Sequence, residues 1–334
     1  MSDSTGMNAL PAAANTGRWR RQDIGRFALR YSLVIVLVFF VIALSISDEH
    51  FLTFSNFEVI LQQIAANALL ATGMTFVILT GGIDLSVGSI VGMSGVVAAM
   101  LAQDEGTGQM LEAAALGILA GGAVGAFNGS LVSFVRVPPF VATLGTMTIA
   151  LGIAYVLSDG RPVSGLSDSF LTIGNNSIFG VPIPVAVFIA VLVVSYVILA
   201  QTRFGMHVYA SGGNPHAARI AGVSVRFIRF AVYTISGLLA GLCGVIMASR
   251  VTAGIATTGA SYELNAIAAA VIGGVSLMGG RGNLIGTVFG LLIIGVLDNG
   301  LNILNVSPFY QLIIKGLIII GAVFIDSYLN GQDD

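Results

Sequence analysis

The chain has 334 residues, of which 56% are apolar, 43 are glycine and only 9% carry charge, with a formal net charge of −2. A soluble domain carries about 25% charged residues. Two ordinary soluble domains, a disordered chain, a coiled coil and a nucleic-acid binder are therefore excluded, and an all-α polytopic membrane protein remains.

In chain order, residues 1–30 form a tail carrying Arg18, Arg20, Arg21, Arg26 and Arg30 ahead of an apolar run from Tyr31 to Ser47. Basic residues before an apolar run, with Ala43-Leu44-Ser45 as a small-x-small site, resemble a signal peptide. The run is long for a signal core and many others follow, so it reads as a retained first helix. Apolar stretches of membrane-spanning length then predict ten candidate helices: 31–47, 59–80, 86–102, 111–134, 139–158, 183–201, 229–249, 264–280, 284–304 and 308–326. Gly, Asn and Gln interrupt several of them, so the expected number is eight to ten. Residues 31–327 form one transmembrane domain, and 328–334 a C-terminal tail.

Basic residues favour cytoplasmic loops. Starting the arginine-rich N-terminus inside and alternating puts Arg136, Arg203, Arg219, Arg226, Arg229 and Arg281 inside as well, making eleven of the fourteen basic residues. Arg161 and Arg250 fall outside, and Lys315 within a span. Both termini are then cytoplasmic. Residues 159–182 read as an outer turn region, and residues 202–228 as a long inner loop.

Between spans two and three, Thr80-Gly81-Gly82-Ile83-Asp84-Leu85-Ser86-Val87-Gly88-Ser89 cannot easily continue a helix. Paired glycines end one helix, and Asp84 or Ser86 can cap the next. An acid at such depth is structural, as a cap, or belongs to a solute pathway or gate. Gly273-Gly274-Val275-Ser276-Leu277 late in span eight repeats the pattern weakly. Repeats with broken helices are common in transporters.

Gly117, Gly121, Gly125 and Gly129 recur every four residues, as do Gly282, Gly286 and Gly290, and Gly237 with Gly241. That spacing lines glycines on one helix face, where backbones approach closely in lipid. Asn67, Asn128, Asn265, Asn299 and Asn302 lie in or near spans, suited either to sugar hydroxyls or to interhelical hydrogen bonds. Asp298 and Lys315 flank the turn between the last two spans at matching depth, which suggests an ion pair, a polar wall of a pathway or a proton relay. Cys243 is the only cysteine, so a disulfide within the chain is impossible. His50, His207 and His216 are placed in loops without metal-ligand spacing.

In the inner loop, Asn214-Pro215 is a helix start and Gly222 a stop, predicting a short helix over Pro215–Ala221 that exposes Ile220 and Ala221 beside Arg219. Two turns are not stable alone, so neighbours or a partner must hold it. The only lysine is Lys315, in Ile314-Lys315-Gly316, so there is no G-x-x-x-x-G-K-[ST] phosphate loop. No nucleophile–base set or H-E-x-x-H is present.

From about Asn56 to Asp326 the chain resembles the permease subunits of ribose-type sugar importers of the ATP-binding-cassette class, within the branched-chain amino acid/ribose permease superfamily. Three blocks carry the resemblance: TGGIDLSVGS from Thr80 to Ser89, GGNPHAARIAG from Gly212 to Gly222 preceded by Thr202-Arg203-Phe204-Gly205, and Tyr262–Leu304 with Tyr310-Gln311 following. The resemblance implies a non-enzymatic, multi-pass subunit of the bacterial inner membrane, pairing with a second permease copy or a paralogous permease. Cytoplasmic ATPase subunits would attach beneath it and an extracytoplasmic sugar-binding protein above. No cofactor would be bound by this chain, ATP and magnesium being used by the ATPase. Segment 202–228 would be the coupling segment, with Arg203, Gly205, Gly212, Gly213, Asn214, Pro215, Ala218, Arg219 and Gly222 as its residues. Pathway or gate candidates are Asn67, Asp84, Ser86, Asn128, Asn265, Asp298, Asn299, Asn302 and Lys315. The family often has Asn where Asp298 stands, so a pair with Lys315 is not a family requirement. Ribose is the family's type substrate, but the binding protein sets much of the specificity. A nucleoside or branched-chain amino acid permease and an ion-coupled transporter are the alternatives.

Overall fold

The computed structural model describes residues 32–103 and 106–330. The N-terminal tail with its five arginines, Asp104, Glu105 and the last four residues lie outside the described residues. Thirteen α-helices account for most of the rest: α1 (Ser32–Ser47), α2 (Phe54–Leu79), α3 (Val87–Leu101), α4 (Thr107–Ser130), α5 (Pro139–Leu157), α6 (Asp168–Asn175), α7 (Ile183–Gln201), α8 (Arg203–Gly213), α9 (Pro215–Ile220), α10 (Val225–Arg250), α11 (Tyr262–Ile272), α12 (Leu284–Ile303) and α13 (Pro308–Asn330). Among the described residues, six helices are long and apolar enough to cross a membrane: α2, α4 with its continuation to Val135, α5, α7, α10 and α12. Shorter apolar stretches lie in α1, α3, α11 and α13. The chain is thus an all-helical, multi-pass membrane protein.

Helix α10 is the centre, packed against α2, α3 and α4. Its 26 residues span about 39 Å at 1.5 Å per residue. From Ala68 to Leu79 helix α2 is buried on every side, so the core lies where α2, α3 and α10 meet. Glycine spacing sets the contact between α4 and α10. A methyl group added at Gly121 would lie 2.7 Å from the Cα of Gly241, and one at Gly125 2.9 Å from the Cα of Gly237. Lipid supplies no hydrophobic drive between helices, so this close backbone approach supplies dispersion instead.

Several predicted boundaries shift. Span 264–280 is a helix only to Ile272; Gly274, Gly279, Gly280 and Gly282 all take positive φ, and residues 273–283 run as irregular backbone. Such backbone persists at membrane depth only where protein buries it or water lines it. Segment 202–228, expected as an inner loop, is mostly α8 and α9, and α10 begins at Val225 rather than 229. His207 accordingly sits on α8, and His216 on α9, rather than in loops. Segment 159–182, expected as an outer turn region, contains α6 and a two-stranded hairpin, Ser177–Ile178 with Val181–Pro182. Ser167 caps α6 by accepting from the Phe170 amide, and Phe170 is buried among Ala98, Ala113 and Val245. The Ser-Asp start followed by an aromatic was the missed signal. Helix α4 runs into a π-helical turn, Leu131–Val135, which Arg136 closes in the left-handed region at φ 68°. Both paired-glycine segments do end a helix, but the positive φ falls on Gly81, first of its pair, and on Gly274, second of its pair. The two breaks therefore do not match residue for residue.

Candidate functional site

Two assemblies take up most of the predicted residues. The first is a glycine hub beneath the short helix α9. Helix α8 opens at Thr202, whose hydroxyl accepts from the Gly205 amide. Gly205 lies against the carbonyls of Ile198 and Leu199, which turns α8 sharply off α7. At the other end of α8, a methyl group at Gly212 would overlap the Leu79 carbonyl and crowd the Gly280 amide, and one at Gly280 would overlap Gly213. The Gly280 amide donates to the Leu79 carbonyl at 2.9 Å. The Tyr209 hydroxyl donates to the Gly282 carbonyl at 3.0 Å. Burial pushes the Tyr209 phenol above its ordinary range, so it stays a donor near neutral pH. The end of α2, the irregular 273–283 segment and the end of α8 thus meet backbone to backbone.

Helix α9 follows directly. The Asn214 side chain accepts from the His216 and Ala217 amides at 3.1 and 2.9 Å, and Pro215 occupies the first helical position. Gly222, at φ 84°, ends it. Ala218 is buried against the body, while Arg219, Ala221 and Ile220, the last 77% exposed, face outward. Arg203, at the start of α8, is also exposed.

The second assembly is a buried polar chain at the break between α2 and α3. Asp84 is fully buried. Its Oδ1 accepts from the Ser86 amide at 3.1 Å and the Ser86 hydroxyl at 2.6 Å, and its Oδ2 accepts from the Ser236 hydroxyl at 3.0 Å. Asn128 donates through Nδ2 to Ser86 Oγ at 2.8 Å and accepts at Oδ1 from Thr146 at 2.6 Å. The Tyr233 hydroxyl donates to the Ile83 carbonyl at 3.2 Å. This chain ties α3, α4, α5 and α10 to the break. Ser86 is the N-cap position of α3, but its hydroxyl serves this chain instead of the helix amides.

The remaining candidates lie apart from both assemblies. Asn299 exchanges two hydrogen bonds with Asn56, at 2.8 and 3.0 Å. Asn302 accepts from Gln311 at 2.9 Å. Lys315 Nζ and Asp298 Oδ2 form an ion pair at 2.9 Å. All are toward the end of α12, about 20 Å along the helix from its start beside the hub. Asn67 is half-buried near the middle of α2, and its Oδ1 has no partner among the described residues. Asn265 is half-buried near the start of α11. No group of metal-binding side chains occurs among the described residues. Ser236, Thr146, Tyr233, Tyr209 and Asn56 were missed, because single polar residues in apolar helices carry no spacing signal.

Residues 56–323 match the family described as the branched-chain amino acid transport system permease component. The chain is 42% identical over 312 residues to the ribose import permease protein RbsC of Haemophilus influenzae, covering 92% of this chain and 96% of that protein. It is 46% identical over 308 residues to the ribose import permease protein RbsC of Bacillus subtilis, covering 91% and 92%. To the D-allose transport system permease protein AlsC of Escherichia coli it is 41% identical over 298 residues, covering 87% and 91%. No solved structure matches. This chain belongs to the family of branched-chain amino acid transport system permease components, and its relatives within that family are sugar permeases.

Proposed function

We propose that this chain is the membrane-spanning subunit of an ATP-driven importer that passes a monosaccharide, delivered by an extracytoplasmic binding protein, across the bacterial inner membrane. The relatives named for ribose and D-allose support a monosaccharide. Their nearly equal identity to this chain leaves the choice of sugar to the binding protein. In this reading the six long and four shorter apolar helices all cross, both termini are cytoplasmic, and residues 31–327 form one permease domain. A second permease copy completes the pathway. Four arginines expected inside, Arg136, Arg219, Arg226 and Arg229, line one cleft, which supports that orientation.

The observation that carries the reading is α9, a capped and outward-facing helix whose base abuts two backbone breaks. A cytoplasmic ATPase gripping α9 would move Gly212 and Gly213 directly against the ends of α2 and of the 273–283 segment. Broken helices are where a transporter can change shape without breaking continuous hydrogen-bond ladders. ATP hydrolysis belongs to the partner, since the chain's only lysine is ion-paired with Asp298 and lies outside any phosphate loop. The two acids an ion-coupled carrier would need are both engaged, Asp84 by hydroxyls and Asp298 by Lys315. Asn67 and Asn265 are the amides left for sugar hydroxyls.

The test is a pull-down of the tagged chain in mild detergent, with ATPase activity assayed on what accompanies it. An ATPase stimulated by one sugar-loaded binding protein is expected, and it names the sugar. Deleting Pro215–Ile220 should abolish that association while membrane insertion persists. Normal co-purification after the deletion would refute the coupling role of α9.

A further inference from the structure

A cleft of about 620 Å³ opens between the π-helical end of α4, the Arg136-Val137-Pro138-Pro139 turn, α9 and the start of α10. Four arginines line it, Arg136, Arg219, Arg226 and Arg229, and among the described residues no carboxylate does. None of the four has an ion-pair partner among the described residues. Several guanidinium groups lining one cleft without an acid offer an anion charge-assisted donors from more than one side. The left-handed backbone at Arg136, uncommon for a side chain with a Cβ, turns the chain into this cleft.

Two further features point to a bound oxyanion. Ser133 lines the cleft at 4% exposure, and its hydroxyl has no hydrogen-bond partner among the described residues. A buried hydroxyl left unpaired is costly, so it marks a place where an acceptor is missing. Ser224, the N-cap of the 26-residue helix α10, makes no side-chain cap; the Val225 amide donates to the Val223 carbonyl, and the Arg226 and Phe227 amides are left for an anion.

Exposed apolar residues next to the lining in sequence point to the source. Phe134 and Val135 follow Ser133 in sequence, Phe140 and Val141 follow Pro139, and Phe227 follows Arg226; all five are more than half exposed. In a membrane protein such residues face acyl chains, so the cationic cleft sits where headgroup and hydrocarbon meet. A free phosphate would use the arginines and Ser133 but leave these exposed apolar neighbours without a role. We infer that this cleft binds the phosphate of an anionic phospholipid of the cytoplasmic leaflet, with Arg136, Arg226, Arg229 and Ser133 holding its oxygens. Arg219 extends the site to α9, so an anionic lipid would brace the coupling helix against α10. The inference rests on the orientation given under Proposed function.

The purified full-length chain, reconstituted in phosphatidylcholine nanodiscs with or without phosphatidylglycerol, tests this by native mass spectrometry of retained lipid. Phosphatidylglycerol should be retained in preference to phosphatidylcholine. The Arg136→Gln/Arg226→Gln variant should lose about tenfold or more of that preference, given the usual contribution of each surface arginine to anionic-lipid binding. The Arg136→Lys/Arg226→Lys variant, which keeps the charge, should retain most of it. Ser133→Ala should weaken retention with the arginines intact, and it serves as the probe should the glutamine variant fail to give a monodisperse protein. Equal retention of the two lipids, or unchanged retention in both Ser133→Ala and the glutamine variant, overturns the inference. Displacement of phosphatidylglycerol by millimolar inorganic phosphate would assign the cleft to a free phosphate. Lipid retention unchanged with ATPase association lost would assign it to the ATPase. The lipid readout needs neither ATPase nor sugar, so its failure and that of the importer reading are told apart.

Discussion

Asp84 is the residue on which the break between α2 and α3 turns. Taking a carboxyl group out of water is costly unless its oxygens find donors, and here the Ser86 amide and hydroxyl and the Ser236 hydroxyl supply them. Asp84→Ala removes the acceptor for all three. It should lower stability by on the order of 3 kcal/mol, the cost of leaving several buried donors unpaired. Asp84→Asn keeps one carbonyl acceptor at nearly the same volume and should cost about 1 kcal/mol. Thermal unfolding in detergent compares the two, and an alanine variant as stable as the native chain would mean that the polar chain contributes nothing. Asp84, Ser86 and Asn128 were legible because an acid beside paired glycines and an amide in an apolar run are conspicuous. Ser236 was not, since it reaches Asp84 across 152 residues of sequence and looks like any small residue in α10.

At the scale of elements, the hub turns four short segments into one unit. Helix α9 is only six residues, too few to persist alone, and is held by its Asn214 cap and by buried Ala218. At Gly212, where α8 meets Leu79 and Gly280, a side chain has no room, whereas an added methyl group at Gly213 meets only the Gly280 Cα at 3.8 Å. Gly212→Ala should therefore force α8 away from Leu79 and Gly280, at about 1–3 kcal/mol of overpacking. ATPase association should persist while stimulation by loaded binding protein falls. Gly213→Ala should behave almost as the native chain. Equal effects of the two substitutions would show that the hub does not transmit motion. The cap and stop of α9 were readable from Asn214, Pro215 and Gly222. The truncation of the span at Ile272 was harder to read, because Val275 and Leu277 continue an apolar pattern while the glycines around them decide the backbone.

For the whole molecule, the proposed orientation rests on the arrangement of charge. The four-arginine cleft lies at the start of α10, and Arg250 at its other end donates to the Gln62 carbonyl at 3.0 Å. Cys243, the only cysteine, is fully buried, and Cys243→Ala provides a background for single reporters. An impermeant maleimide should modify Ile178→Cys, in the exposed hairpin, on intact spheroplasts. It should modify Ile220→Cys, on α9, only in inverted vesicles. Labelling of both from one side would sink the proposed topology.

Composition, glycine spacing and cap chemistry are local properties, and from the sequence alone they determined a polytopic helical membrane protein, the break at Gly81-Gly82 and the short helix after Asn214. Glycines spaced by four announce that a helix will be approached closely. They do not say by which neighbour, because that depends on backbones distant in sequence settling at contact distance. Only the tertiary structure decided that Gly212 meets Leu79 and Gly280, that Asp84 finds Ser236, and that Arg136 joins Arg219, Arg226 and Arg229 around Ser133. Each of those meetings is fixed by the packing of segments distant in sequence, a sum of many weak contacts that no single stretch of sequence contains.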